Sequence, residues 1–151
     1  MERSRLMTPA EMDAVFERHI AAEMAHDIPG ILDTLTDDVE HDVIGHPMGV
    51  LRNHADIAKR YEEQFTAITD DAIEPIRRNY GENLFIDESI VSGRVRGTYM
   101  GIPGNNRLIR IRMLHVCEVR DGKMSRENVW ADMASLLAQL GQLGATPEPR
   151  G

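Results

Sequence analysis

Cysteine occurs once in the 151 residues, at Cys117, so no internal disulfide can form and the chain fits a reducing compartment, with the cytoplasm as the expected location. Long apolar runs are absent as well, and the opening Met1-Glu2-Arg3-Ser4-Arg5 leads into no continuous hydrophobic segment. The sequence therefore predicts neither a membrane span nor a secretory signal. Positive charge is in deficit: 17 basic against 25 acidic residues leave a formal charge of −8, which repels phosphate backbones and anionic lipid and argues against nucleic acid or membrane as partners. Arg110 and Arg112 alternate along a predicted strand and read as a solvated face. Missing too are His-Glu-x-x-His, a phosphate-binding glycine loop, a dinucleotide fingerprint and a Gly-x-Ser-x-Gly elbow. No metal and no cofactor is expected, which makes cofactor-free chemistry the consistent enzyme reading.

What is present fits one globular domain of 17.0 kDa, 42% hydrophobic and 28% charged. Thr8-Pro9-Ala10-Glu11 is a capping box, and Met12, Val15, Phe16, His19 and Ile20 then form one buried helical stripe. Asp27 caps a shorter helix that carries Ile28, Ile31, Leu32 and Leu35 on one face, and the β-branched run Val39 to Ile44 reads as a strand. Asn53 opens a third helix, with Ile57, Tyr61, Phe65 and Ile68 as its apolar face, which stops at Asp70-Asp71. From Ala72 to Arg120 the pattern alternates between turn signals, as antiparallel hairpins do. The odd positions Ile109, Ile111, Met113, His115, Cys117 and Val119 share the apolar side. A strand from Met124 to Ala131 and a helix capped by Asp132 and stopped at Gly141 complete the order. Gly93 and Gly97 inside strand patterns predict bulges or bends that curl the sheet around a pocket. The expectation is an α+β fold, a curved antiparallel sheet with N-terminal helices on its concave face. The domain spans residues 1–144, with 1–7 flexible and 145–151 a mobile tail.

This order, with Glu23 to Leu32, Thr36-Asp37-Asp38-Val39, Gly97 to Pro103 and the ending Asp121-Gly122-Lys123-Met124 through Val129-Trp130-Ala131-Asp132 to Gly141, resembles the nuclear transport factor 2-like superfamily. Within it, the SnoaL-like polyketide cyclase and ketosteroid isomerase branches are the most similar, over about residues 10 to 142. The resemblance implies a conical pocket with a few acid, base or hydrogen-bonding groups in an apolar lining, and a homodimer formed through the open face of the sheet. His19 falls where the isomerases carry an oxyanion-stabilising tyrosine, Asp42 near their carboxylate base, and His115 where they carry an acidic donor and the cyclases a pocket histidine. The catalytic aspartate of the cyclases falls at Val129, a departure, since valine has no proton to give.

The expected catalytic residues are therefore His19, Asp42 and His115, with His41, Tyr99, Met113, Val129 and Trp130 lining the substrate. His41 and Asp42 are rivals, because a one-residue shift in the first strand exchanges inside for outside. Cys117 reads as a structural thiol and Asp132 as a helix cap. The expected function is acid/base chemistry (isomerisation, cyclisation or elimination) on a small hydrophobic carbonyl compound. The alternative is a noncatalytic ligand-binding or dimerisation domain of the same fold.

Overall fold

Every helix start that the sequence marks carries its cap in the computed structural model, which describes residues 4–143; the expected tail, 145–151, lies outside the described residues. Helix α1 (Pro9–Met24) opens on the reciprocal pair in which Thr8 Oγ1 accepts from the Glu11 amide at 3.2 Å and Glu11 accepts from the Thr8 amide at 2.7 Å. It closes with His26 at φ 53°, where the His26 and Asp27 amides donate to the Glu23 and Ala22 carbonyls. That tight reversal delivers Asp27 as the cap of α2 (Ile28–Asp33). Residues 4–7, expected to be flexible, are tied down: Met7 is buried and its amide donates to Asn83 Oδ1 at 2.7 Å.

Leu35 is not the end of α2 but the start of β1 (Leu35–Val43). Thr34 ends the helix by donating both its amide and its hydroxyl to the Ile31 carbonyl, and Leu35 stays buried in either period. Helix α3 (His54–Ala67), capped by Asn53, gives way directly to β2 (Ile68–Gly81), so Asp70-Asp71 lie inside a strand as a bulge, with Asp70 at φ 56°. Strand β3 (Leu84–Val95) follows, then a small hairpin of β4 (Thr98–Tyr99) and β5 (Ile102–Pro103), then β6 (Arg107–Arg120), β7 (Lys123–Ala131) and α4 (Met133–Gln139). Asp132 caps α4 through the Ser135 amide, and Gly141 beyond it has φ 74°.

The five long strands form one curved, unclosed sheet in the order β1-β7-β6-β3-β2, antiparallel throughout except that the edge strand β1 joins β7 in parallel. The odd positions of β6 face inward as the alternation requires, and Met12, Val15 and Phe16 of α1 pack with Phe85, Cys117 and Val119 against that inner face. Arg110 and Arg112 lie outside, paired with Glu74 and Glu88. No helix among the described residues is long and apolar enough to cross a membrane.

The two strand glycines play different parts. The bulge lies in β2, opposite Gly93, and folds Ile68 so closely over Gly93 that a Cβ there would stand 2.7 Å from Ile68 Cγ2. At Gly97 the nearest atom to such a Cβ is 4.0 Å away. Gly93→Ala is expected to destabilise the fold by about 1–3 kcal/mol through overpacking, and Gly97→Ala by much less; urea unfolding of the two variants checks the contrast.

Candidate active site

A buried chain of polar groups runs through the inner end of the domain, and its proton positions follow from donor accounting. Thr34 Oγ1 donates to the Ile31 carbonyl at 2.6 Å, so its contact of 2.7 Å with His19 Nδ1 requires the ring to be the donor. His19 Nε2 faces Glu23 Oε1 at 3.3 Å and Glu127 Oε2 at 3.2 Å as ion pairs, with the Tyr61 hydroxyl at 3.4 Å; Glu127 Oε2 has no hydrogen-bond partner of good geometry. Two carboxylates this close favour the imidazolium form of His19, whose ring has no exposed surface. Tyr61 donates to Glu23 at 2.5 Å and so holds the second carboxylate from α3. On the far side of Glu127, His41 Nε2 stands 3.2 Å from the same Oε2, and Arg60 Nη2 lies 3.1–3.4 Å from the His41 ring nitrogens. Arg60 Nη2 stands closer to Nε2, at 3.1 Å, than to Nδ1, at 3.4 Å, so the nitrogen that faces Glu127 also faces the guanidinium.

The electrostatics agree with this order. Burial alone would depress His19, but the charge and hydrogen bond of Glu127, assisted by Glu23, outweigh it and raise the ring to about 10. Burial would likewise raise Glu127, yet the neighbouring His19 and then His41 hold its carboxyl well below the usual range, and His19 does the same for Glu23. His41 goes the other way: burial, only partly offset by Glu127 and reinforced by the Arg60 charge, pushes it down and keeps the ring neutral. Two carboxylates, one imidazolium and one guanidinium make the cluster electrically neutral. His19, Glu23 and Glu127 also place one donor atom each within 4.8 Å of one another, a set that a divalent cation could use by replacing the Nε2 proton.

Glu23, His41, Arg60, Tyr61 and Glu127 line a cavity of about 60 Å³; Val43, Ile68, Ile73, Val91, Met113 and Val129 are among its apolar walls, and His115, Tyr99, Gln64 and Asp71, the last paired with His26, also reach it. A wider cleft of about 580 Å³ lies between α3 and the loops at His46–Met48 and Gly97–Gly101, and shares Gln64 and Tyr99 with the inner cavity. His41, Tyr99, Met113, His115 and Val129 therefore line the cavity that the sequence predicts. Tyr99 does so from β4, since β3 ends at Val95. His19 stands one layer behind, reaching the cavity only through Glu23 and Glu127.

Asp42 and Trp130 are not in the cavity. With Leu35, Val39, His41 and Val43 inward, the even positions of β1 face the outer side of the sheet, so the pleat puts His41 inside and Asp42 outside. Trp130 follows Val129 on β7, points to the opposite face and is 40% exposed. Cys117 is fully buried, and burial pushes its thiol well up, as a structural residue requires.

Sequence reasoning passes over Glu23, Arg60 and Glu127. The helical period could have found the first two, since Glu23 lies four residues after His19 and Arg60 three after Ile57, on apolar stripes. Glu127 lies two residues before Val129, hence on the same face of β7 as the position where the cyclases carry their aspartate.

The protonation pattern has a thermodynamic consequence. His19, raised in the fold above its ordinary 6.5, contributes stability that is complete below about pH 6.5 and is lost as pH rises toward 10. Glu127 and Glu23, lowered, contribute above their ordinary 4.5 and lose that contribution in acid, where His41 must also be forced to charge. Urea unfolding between about pH 6.5 and 8.5 should show a decline in stability of up to ~1.4 kcal/mol per pH unit, one proton's worth, that His19→Gln abolishes. An equal slope in the variant would contradict the assignment.

The sequence matches the family described as SnoaL-like polyketide cyclase over residues 14–140. No curated protein matches it. Among solved structures it is similar to TsrD from Streptomyces laurentii, with a TM-score of 0.79 and 19% identity over 91% of this chain and 99% of that one. It is also similar to IdmH from Streptomyces antibioticus, a candidate polyketide cyclase, at a TM-score of 0.72 and 20% identity over 85% and 97% of the two chains. An NTF2-like protein from Burkholderia thailandensis aligns at a TM-score of 0.71 and 18% identity, covering 91% of this chain and 100% of that one. At these identities the structural likeness concerns the fold, and the family match over most of the chain concerns descent: the chain belongs to the SnoaL-like polyketide cyclase family.

Proposed function

We propose that the protein is an acid/base catalyst acting on a small apolar carbonyl compound, with His41 as the base. The observation that carries this reading is the neutral His41 ring at the cavity wall, 3.2 Å from a Glu127 carboxylate that is itself fixed by the His19 imidazolium. A base oriented by a carboxylate is the recurring arrangement for proton abstraction, and a ring kept neutral by burial is unprotonated at physiological pH. The unprotonated nitrogen of the neutral His41 ring takes a proton from the carbon next to the carbonyl, and the electron pair moves to the carbonyl oxygen. Tyr99, whose hydroxyl makes no hydrogen bond among the described residues, is available as a donor to that oxygen, and His115, whose Nδ1 stands 4.0 Å from Asp87 Oδ2, offers its ring at the same wall. Return of the proton to another carbon gives isomerisation; attack of the carbanion on a second carbonyl gives cyclisation. His19 serves as a positioning residue: it holds Glu127, and Glu127 holds His41.

The reading extends to location and assembly. A single buried Cys117 fits a cytoplasmic protein. The outer face of the sheet, with Trp130 40% exposed, carries a homodimer contact in this proposal, so light scattering is expected to read twice 17.0 kDa, and Trp130→Glu to shift it to the monomer.

Deuterium exchange at carbons next to the carbonyl, followed by NMR across a panel of apolar ketones and oxo acids, tests the catalytic claim. His41→Gln and Glu127→Gln should each lower the exchange rate by about 10²–10⁴, while Asp42→Asn, outside the cavity, leaves it unchanged. Exchange that survives His41→Gln, or no exchange with tight binding of an unaltered ligand, would instead favour a binding protein.

A further inference from the structure

Arg60 is the one charged member of the buried cluster whose hydrogen-bonding capacity is left largely unspent. It projects from α3, is 5% exposed and lines the cavity. Of its five N–H groups, one on Nη2 faces His41, one on Nη1 reaches Gln64 Oε1 only at 3.5 Å, and Nε has no partner. No carboxylate of the described residues stands within 4.0 Å of it. Glu127 is separated from it by His41, and Glu62 and Glu63 line the outer cleft.

Arg78 shows what this chain does with a partly buried arginine that has only a structural role. Its Nη1 and Nε contact Asp13 at 2.6 Å and Asp87 at 3.0 Å, and its guanidinium lies over Phe16. Arg60 has the aromatic neighbour, Tyr61 at 4.6 Å, but not the acids. The cluster charge balances at a distance, through His41, yet Nε is unpaired and Nη1 has only the 3.5 Å contact to Gln64. Buried N–H donors left without a good acceptor are costly unless an oxyanion completes them, and a carboxylate fits two such donors in parallel bonds.

We propose that the cavity binds an organic acid, whose carboxylate pairs with Arg60 while its apolar body extends into the neighbouring cleft. This deepens the proposed function by naming the substrate class of the same site. The dimensions agree: about 60 Å³ admits the acid group and the carbon beside it, and the cleft of about 580 Å³, walled by Pro47, Met48, Ala67, Tyr99 and Met100, holds the remainder. Gln64 and Tyr99 stand at the boundary, where their amide and hydroxyl can bond the same carboxylate. Pairing would also offset the Arg60 charge that, after burial, depresses the His41 ring 3.1 Å away, so the acid that docks at Arg60 makes the neighbouring base stronger.

Calorimetric titration of the full chain with 2-naphthylacetate against 2-naphthylacetamide, and hexanoate against hexanamide, tests the claim. At least one acid should bind roughly tenfold or more tightly than its neutral amide, the scale of a charged hydrogen bond. Arg60→Met, its fold verified by circular dichroism, should bring acid and amide to parity, and Arg60→Lys, which keeps the charge but not the fork, should retain part of the preference. Should Arg60→Met fail to fold, the wild-type comparison and Arg60→Lys still decide. Equal binding of acids and amides, no binding of either acid, or a preference that survives Arg60→Met overturns the proposal. Glu127→Gln, its fold verified by circular dichroism, should keep the acid preference while losing exchange activity, and in the wild type acids that bind without any exchange count against the catalytic reading alone.

Discussion

The His19 imidazolium, bonded to Thr34 on one side and ion-paired with Glu23 and Glu127 on the other, is the contact on which the inner end of the domain depends. It joins α1 to the end of α2 through Thr34, to β7 through Glu127 and, by way of Glu23 and Tyr61, to α3. A charge without solvent contact survives only when opposite charge stands beside it, and here the ring faces two carboxylates as well as the Thr34 and Tyr61 hydroxyls. Removing any one carboxylate would leave an uncompensated ion in a dry interior, which ties the placement of four elements to one another.

That same arrangement separates two histidines that a sequence treats alike. His19 faces two carboxylates and is charged; His41 shares one of them with an arginine at its other side and is neutral. Environments that drive two like groups apart are how one site comes to hold both an acid and a base at neutral pH. The fixed charge belongs to the layer behind, and the neutral ring is the one that meets the cavity.

Much of the fold was legible because its signals are local. The Thr8 capping box, the Asn53 and Asp132 caps and the inward odd positions of β6 each follow from a few neighbouring residues and are present as read. The boundaries at Leu35 and Asp70 were not, because Leu35 is buried in either period and an aspartate pair reads as a stop where the chain makes a bulge. The site was half legible: His41, Tyr99, Met113, His115 and Val129 line the cavity. The choice between His41 and Asp42 turned on the strand's start, which only the tertiary packing of Leu35 and Val39 decides. Glu127 escaped for a different reason. A lone glutamate between Arg126 and Asn128 looks like solvated strand exterior, and its burial is compensated by histidines more than eighty residues away in sequence.

The central claim concerns where the protons sit, and nitrogen-15 NMR of the histidine rings reads that directly. At about pH 7.5 the account predicts that His19 carries protons on both nitrogens while His41 is a neutral ring with one. A neutral His19, or a His41 charged at that pH, would contradict it.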